Sequence, residues 1–223
     1  MGAKAPPDWD ADSPELQQNL AKVGARIERD AARRVIPKVA IAKSWQKDIM
    51  AGLAVGNPAF VGRFRGEPGL ERCGVRVNHV AGTAPWDVAA ELKAFEVTLQ
   101  RVVAGLDAKY PDADSLDADG LSAVIDLAAW AHAAWIRIHP FANGNGRTAR
   151  LWANLLLMRY GLPPAVALRP RPGAGYGAAG AAAMRGRWRP TARVFRRLVR
   201  DFVSGGRAAG SAASVAARKS KPP

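Results

Sequence analysis

The 223-residue chain is long enough for one sizeable domain, and its 48% hydrophobic content is that of a folding sequence. A single cysteine, Cys73, excludes an internal disulfide framework and a thiolate metal cluster. The net charge of +14 is concentrated: from Arg185 to the C-terminus eleven basic residues stand against one acid, Asp201. That segment could meet nucleic acid, acidic lipid or an acidic protein, or be a solvated helix face followed by a basic tail.

The opening residues, MGAKAPPDWDADSPE, lack the apolar core of a signal peptide. No apolar run approaches the length needed to span a bilayer, so no membrane association is expected. A cytoplasmic setting is expected, with delivery into another cell left open. Ser13 as N-cap and Pro14 at the first helical position predict a helix from about Glu15 to Ile36, stopped by Pro37. A second short helix is expected over about Lys38 to Leu53. Residues 62–86 differ in kind. Glycine and proline are frequent there, and Cys73, Val75 and Val77 alternate with polar neighbours, which reads as a strand or hairpin.

After Asp87, Val88, Leu92, Phe95, Leu99, Val102 and Leu106 recur at helical spacing and predict an amphipathic helix of about twenty residues. The polar loop PDADSLDADG leads into LSAVIDLAAWAHAAWIRI, apolar nearly all round and therefore a buried central helix. His132, inside it, reads as a core histidine bonded to a backbone carbonyl, and His79 in the hairpin region as incidental. RTARLWANLLLMRY is a further helix, ended by Gly161 and the Pro163-Pro164 pair. RPRPGAGYGAAGAAAMRGRW says little. In the last helix Phe195, Leu198, Val199 and Phe202 form an apolar stripe opposite Arg193, Arg196, Arg197 and Arg200. From Ser204 on, the composition is that of disorder.

Between the two central helices lies HPFANGNGRTAR, residues 139–150. Gly144 and Gly146 remove Cβ atoms, so backbone N–H groups can point at a ligand. Those groups open the following helix, where unpaired donors and the dipole favour an anion. Arg147 and Arg150, three residues apart, share a face of its first turn and call for something negative between them. His139, at the other lip, is placed to take a proton from a hydroxyl beside a bound phosphate. Pro140 sets the chain direction, and Phe141 is a candidate core anchor. Gly144, Gly146 and Ala149 also satisfy the loose G-x-G-x-x-A dinucleotide pattern, but a helix precedes them where that motif needs a strand. The P-loop pattern fails because no lysine follows the glycines.

This stretch resembles the signature of the Fic family, His-Pro-Phe-x-(Asp/Glu)-Gly-Asn-Gly-Arg-x-x-Arg, and departs from it at one fixed position. The resemblance covers about Phe60 to Val203. It implies an all-α fold, a Fic-type helical bundle with a small β-hairpin flap over the active site. The division expected is an N-terminal helical region (1–57), a core domain (58–203) and a basic disordered tail (204–223). Members mostly transfer AMP from ATP to a Ser, Thr or Tyr hydroxyl of a target protein. Carried over, His139 is the general base and Phe141 the core anchor. The backbone of Gly144, Asn145 and Gly146 holds phosphate oxygens, and Arg147 and Arg150 bind the β- and γ-phosphates.

The family's acidic, Mg²⁺-holding position falls on Asn143, which offers an oxygen without a charge. Mg²⁺ is therefore expected to be weakly held. Transfer of another phosphate-containing group, or activity reduced through Asn143, is the alternative. A basic nucleic-acid-binding protein on a degenerate Fic fold is a further one, weakened by sparse aromatics (Trp188, Phe195, Phe202) in the basic segment. Many members carry an inhibitory helix, (Ser/Thr)-x-x-x-Glu-(Gly/Asn). None of Glu15, Glu28, Glu67, Glu71, Glu91 and Glu96 is followed by Gly or Asn. Control by a separate small inhibitory protein, by low intrinsic activity or by delivery elsewhere is expected instead.

Overall fold

The computed structural model describes residues 7–173 and 175–219, with side chains from 206 onward outside the description. Among the described residues, short 3₁₀ turns at Pro58–Phe60 and Pro85–Asp87 aside, seven α-helices and one antiparallel hairpin follow in chain order. These are α1 (Pro14–Ala32), α2 (Ala40–Met50), β1 (Arg76–Val77), β2 (Val80–Ala81), α3 (Val88–Lys109), α4 (Ala118–Ile138), α5 (Asn145–Arg159), α6 (Tyr176–Met184) and α7 (Arg189–Lys219). The fold is all-α with a small flap. Residues 220–223 of the expected tail lie outside the described residues, and the backbone of α7 runs through the part before them.

Helix α1 starts as the cap rule requires: Ser13 Oγ accepts from the Leu16 N–H at 3.1 Å, with Pro14 next in line. It ends four residues earlier than expected. Arg34 turns into left-handed backbone (φ 48°) and its guanidinium bonds the Tyr110 carbonyl, which closes the helix before Pro37 is reached. Leu16, Leu20, Val23 and Ile27 bury one face, and α1 lies along α2 and α5. One apolar core takes in Leu16, Trp45, Trp135, Trp152 and Phe195, so residues on both sides of position 57 share it.

The buried face of α3 follows Val88, Leu92, Phe95, Leu99 and Val103, while Val102 is exposed. Successive steps of four residues rotate the stripe one position past the three-residue step expected at Val102. In α7, Phe195 and Val199 are buried, but Phe202 is half exposed because the helix has by then run past the bundle. Arg196 pairs with Asp126 at 2.7 Å, as a solvated basic face would.

Helix α4 is long and apolar enough by length and composition to cross a membrane, contrary to the expectation that no run approaches that length. Its apolar character has a nearer cause. Helices α3, α5, α6 and α7 all pack on it, so it has little solvent face to keep polar. At its end the Trp135 indole donates to Thr148 Oγ1 at 2.8 Å, and its ring meets Phe64, Phe95, Phe141 and Trp152. This aromatic knot pins the end of α4 to the start of α5 and so frames the loop between them.

Candidate active site

The loop begins where α4 cannot continue. His139 is the C-cap, in left-handed backbone (φ 53°, ψ 55°), with its N–H on the Trp135 carbonyl. Pro140 disfavours right-handed helix at the residue before it, and histidine is among the non-glycine residues that enter the left-handed region most readily. Phe141 is fully buried against Phe64 and Trp135, as the anchor role requires. Asn145 ties the loop shut: its Oδ1 accepts from the Phe141 N–H and its Nδ2 donates to the Phe141 carbonyl, both at 2.8 Å. Behind the loop the buried Gln46 donates to the Asn143 carbonyl at 3.4 Å.

Gly144 enters α5 with φ 88°, which favours glycine, and an added Cβ would press on Met50 Cε at 3.1 Å. No side chain caps α5. Its first N–H groups therefore remain available to an anion. Replacing Asn145 with Ala would strip both partners from the buried Phe141 peptide. The expected loss is about 1–3 kcal/mol of stability, measured as a lowered urea midpoint at unchanged slope. A midpoint equal to the wild type would mean water replaces the amide.

A cleft of about 740 Å³ opens between the hairpin, the loop and α6, a size that suits a small ligand. His139, Asn143, Gly144, Asn145, Gly146 and Arg150 all line it. His139 Nδ1 is 3.0 Å from the Ile136 carbonyl, which can only accept, so Nδ1 carries the proton and Nε2 the free lone pair. Burial lowers the imidazole pKa below its ordinary value, opposed by the bond to Ile136 and aided by the nearby Arg65 cation.

The two motif arginines part company. Arg150, 3% exposed, donates to the Leu168 carbonyl at 2.9 Å and the Tyr176 hydroxyl at 3.4 Å, on the wall of the cleft. Arg147 does not line the cleft. It donates to the Trp9 carbonyl at 2.9 Å, Asp10 Oδ1 at 3.3 Å and Asn143 Oδ1 at 3.4 Å. The negative group beside it is thus the carboxylate of Asp10. Burial, with Arg150, Arg169 and Arg171 near, pulls the Arg147 pKa down to about 10 against the pull of Asp10, and it stays charged at neutral pH.

His132 is a buried core histidine, but its partner is a hydroxyl and not a backbone carbonyl. Nε2 lies 2.7 Å from the Tyr176 Oη. Burial, and secondarily Arg150, lowers its pKa to about 3, so it stays neutral. His79, which looked incidental, stands on the rim of the cleft. Sequence reasoning missed Tyr176, hidden in the alanine–glycine stretch, and Asp10 and Arg65, for which no local pattern exists.

The residues present do not make a resident metal site. Among the described residues no three His, Cys, Asp or Glu side chains converge. The Asn143 oxygen already accepts from the Gly144 N–H and Arg147, while its amide donates to Asp10 Oδ2 at 3.1 Å.

The sequence profile of the Fic/DOC family matches residues 43–157. Over 42 residues the chain is 55% identical to "Protein adenylyltransferase Fic" of Drosophila persimilis and to "Protein adenylyltransferase fic-1" of Caenorhabditis elegans, a stretch covering 19% of this chain and 8% of each relative. Among solved structures, a Fic domain containing signaling protein from Bacteroides thetaiotaomicron aligns with a TM-score of 0.56 at 21% identity, over 83% of this chain and 69% of that one. The BepC protein, a VirB-translocated effector of Bartonella tribocorum solved with AMPPNP, aligns with a TM-score of 0.54 at 18% identity, over 85% and 89%.

Proposed function

The chain belongs to the Fic/DOC family, and from that membership we propose that it is a protein adenylyltransferase, moving AMP from ATP to a Ser, Thr or Tyr hydroxyl of a target protein. The observation that carries this reading is the pairing, in one cleft, of an Nδ1-protonated His139 with the uncapped start of α5. The short matches to proteins named adenylyltransferases and the fold shared with an AMPPNP-bound effector support it.

In this reading the target hydroxyl oxygen attacks the α-phosphorus while Nε2 of His139 takes its proton. The bond from the α-phosphorus to the bridging oxygen breaks, and pyrophosphate leaves with the electron pair. The N–H groups of Asn145 and Gly146 and the guanidinium of Arg150 offset the phosphate charge, and the Gly144 N–H joins them once it releases the Asn143 side-chain oxygen. Arg147 must exchange its Trp9 and Asp10 partners for phosphate oxygens before it can join them. Control, in the same reading, rests on a separate small inhibitory protein, on low intrinsic activity or on delivery elsewhere. Incubation with ATP labelled on the α- or the γ-phosphate tests the reaction. Protein-bound α-label supports it; γ-label alone indicates kinase chemistry, and no label on protein overturns it.

Magnesium, in this reading, arrives with ATP and is held by its phosphates, where it would screen their charge. A carboxylate at position 143 would face Asp10 across the 3.1 Å gap that the Asn143 amide now bridges, giving an ion two charged ligands. Asn143→Asp is expected to lower the Mg²⁺ concentration for half-maximal α-label transfer. One added charge roughly 4 Å from a divalent ion is worth about 2 kcal/mol in water, or about 30-fold. Side-by-side Mg²⁺ titrations measure it. An unchanged or higher requirement would mean that Asp10 repels the new carboxylate out of reach.

A further inference from the structure

Arg65 is 1% exposed, and no carboxylate forms an ion pair with it among the described residues. All its side-chain partners are backbone carbonyls. Nε donates to His139 at 2.7 Å, and one terminal nitrogen donates to both Ile138 at 3.0 Å and Thr83 at 2.7 Å. The other donates to Cys73 at 3.1 Å. Its own backbone N–H bonds the Pro140 carbonyl at 2.7 Å.

The acceptors fall into two sets. Ile138 and His139 supply the last carbonyls of α4, where the helix dipole favours a cation. Cys73 and Thr83 flank the hairpin on either side. One rigid, planar group with five donors in a fixed fork therefore fastens the base of the flap to the peptide of the catalytic histidine.

Two further facts show that this join is tight. A Cβ added to Gly82, just past β2, would lie 3.0 Å from the Cβ of His139 and 2.9 Å from Val75 Cγ2. The flap backbone thus rests directly on the histidine. His139 also keeps a left-handed backbone, which costs energy even for a residue type that enters it readily and which its surroundings must hold in place. Burying a cation is costly, and an apolar side chain could fill the space. What an apolar side chain could not do is fix four carbonyls from two segments in one plane.

Resting on the transferase reading, we infer that Arg65 is a positioning residue for the reaction: it locks flap and base into one unit, so that displacement of the hairpin moves the His139 imidazole. Arg65 touches neither the α5 N-terminus nor Arg150, so nucleotide capture is separate from this role.

Arg65→Lys keeps the charge and loses the fork. In folded Arg65→Lys, α-label transfer at saturating ATP should fall about 100-fold, the scale of a misplaced catalytic group, with KM for ATP little changed. Amide exchange over residues 74–82 should rise about tenfold as the carbonyl bonds are lost, with α1 and α3 unaffected. The ¹⁵N signals of the His139 imidazole should show loss of the single Nδ1-protonated tautomer. A uniform rise in exchange, or unchanged imidazole signals in folded protein, would overturn the inference. Should Arg65→Lys not fold, Gly82→Ala presses on His139 from the flap side and must shift the same signals; unshifted signals overturn it equally. Exchange and imidazole signals need no turnover, so they decide the role of Arg65 even where the wild type transfers no label.

Discussion

Replacement of His139 by Ala should reduce α-label transfer by about 10²–10⁴-fold, the range for removal of a general base, while ATP affinity stays near wild type. In the proposed reaction the imidazole acts on the incoming hydroxyl through Nε2, and its Nδ1 bonds the Ile136 carbonyl and not the phosphate side of the cleft. Equilibrium titration with ATP beside single-turnover label transfer separates the two quantities. Equal loss of both would assign His139 to nucleotide binding.

The pH dependence follows from the same residue. Only neutral imidazole can accept the proton, and burial holds the His139 pKa below its usual value. Protonation therefore sets in at lower pH than for an exposed histidine, and transfer should persist below pH 6.5 before its acid limb appears. His132 adds no second limb, because it is already neutral well below that range. An acid limb above the usual histidine range would contradict the burial seen here.

Arg150→Ala should do the reverse and weaken ATP by about 10- to 100-fold, the equivalent of one charged hydrogen bond at roughly 1.5–3 kcal/mol. Arg150 is the motif arginine on the cleft wall, and Gly146 lies so close that an added Cβ would come within 3.4 Å of its guanidinium. Its loss also frees the Leu168 carbonyl and the Tyr176 hydroxyl, so the measurement must be made on protein whose unfolding midpoint is recorded alongside. Unchanged affinity in folded protein would remove Arg150 from the nucleotide site.

How far the sequence carried depended on whether a feature was local. The turn after α4, the glycine at 144, the anchor Phe141 and the uncapped start of α5 are written in twelve consecutive residues, because proline, glycine and helix ends constrain backbone at short range. The side-chain roles were less legible. Asn145 was expected to act through its backbone, yet its amide bridges both polar groups of Phe141. Arg147 was assigned to phosphate, but its carboxylate partner arrives from 137 residues away. Arg65 sits 74 residues before the histidine it holds. Periodicity located the buried stripe of α3 and missed by one residue at Val103, because three- and four-residue steps both keep to a helix face and a short window does not choose between them. Long-range partners are chosen by packing, which leaves no mark on a short window.

The way the loop is held also bears on how such a chain changes over generations. Its shape is secured from behind by Trp135, Thr148, Phe141, Asn145 and Gln46, which face the core. Asn143 and Arg150 border the cleft, and neither supplies the turn's internal bonds to Phe141. Substitution at Asn143 is filtered chiefly by the reaction it serves, whereas the buried Arg150, bonded to Leu168 and Tyr176, answers to folding as well. A lineage can therefore pass through an asparagine at position 143, with altered metal demand or altered donor, without first losing the fold. Drift at Asn145 or Trp135 has no such freedom, because there the same substitution removes both the loop and whatever chemistry it displays.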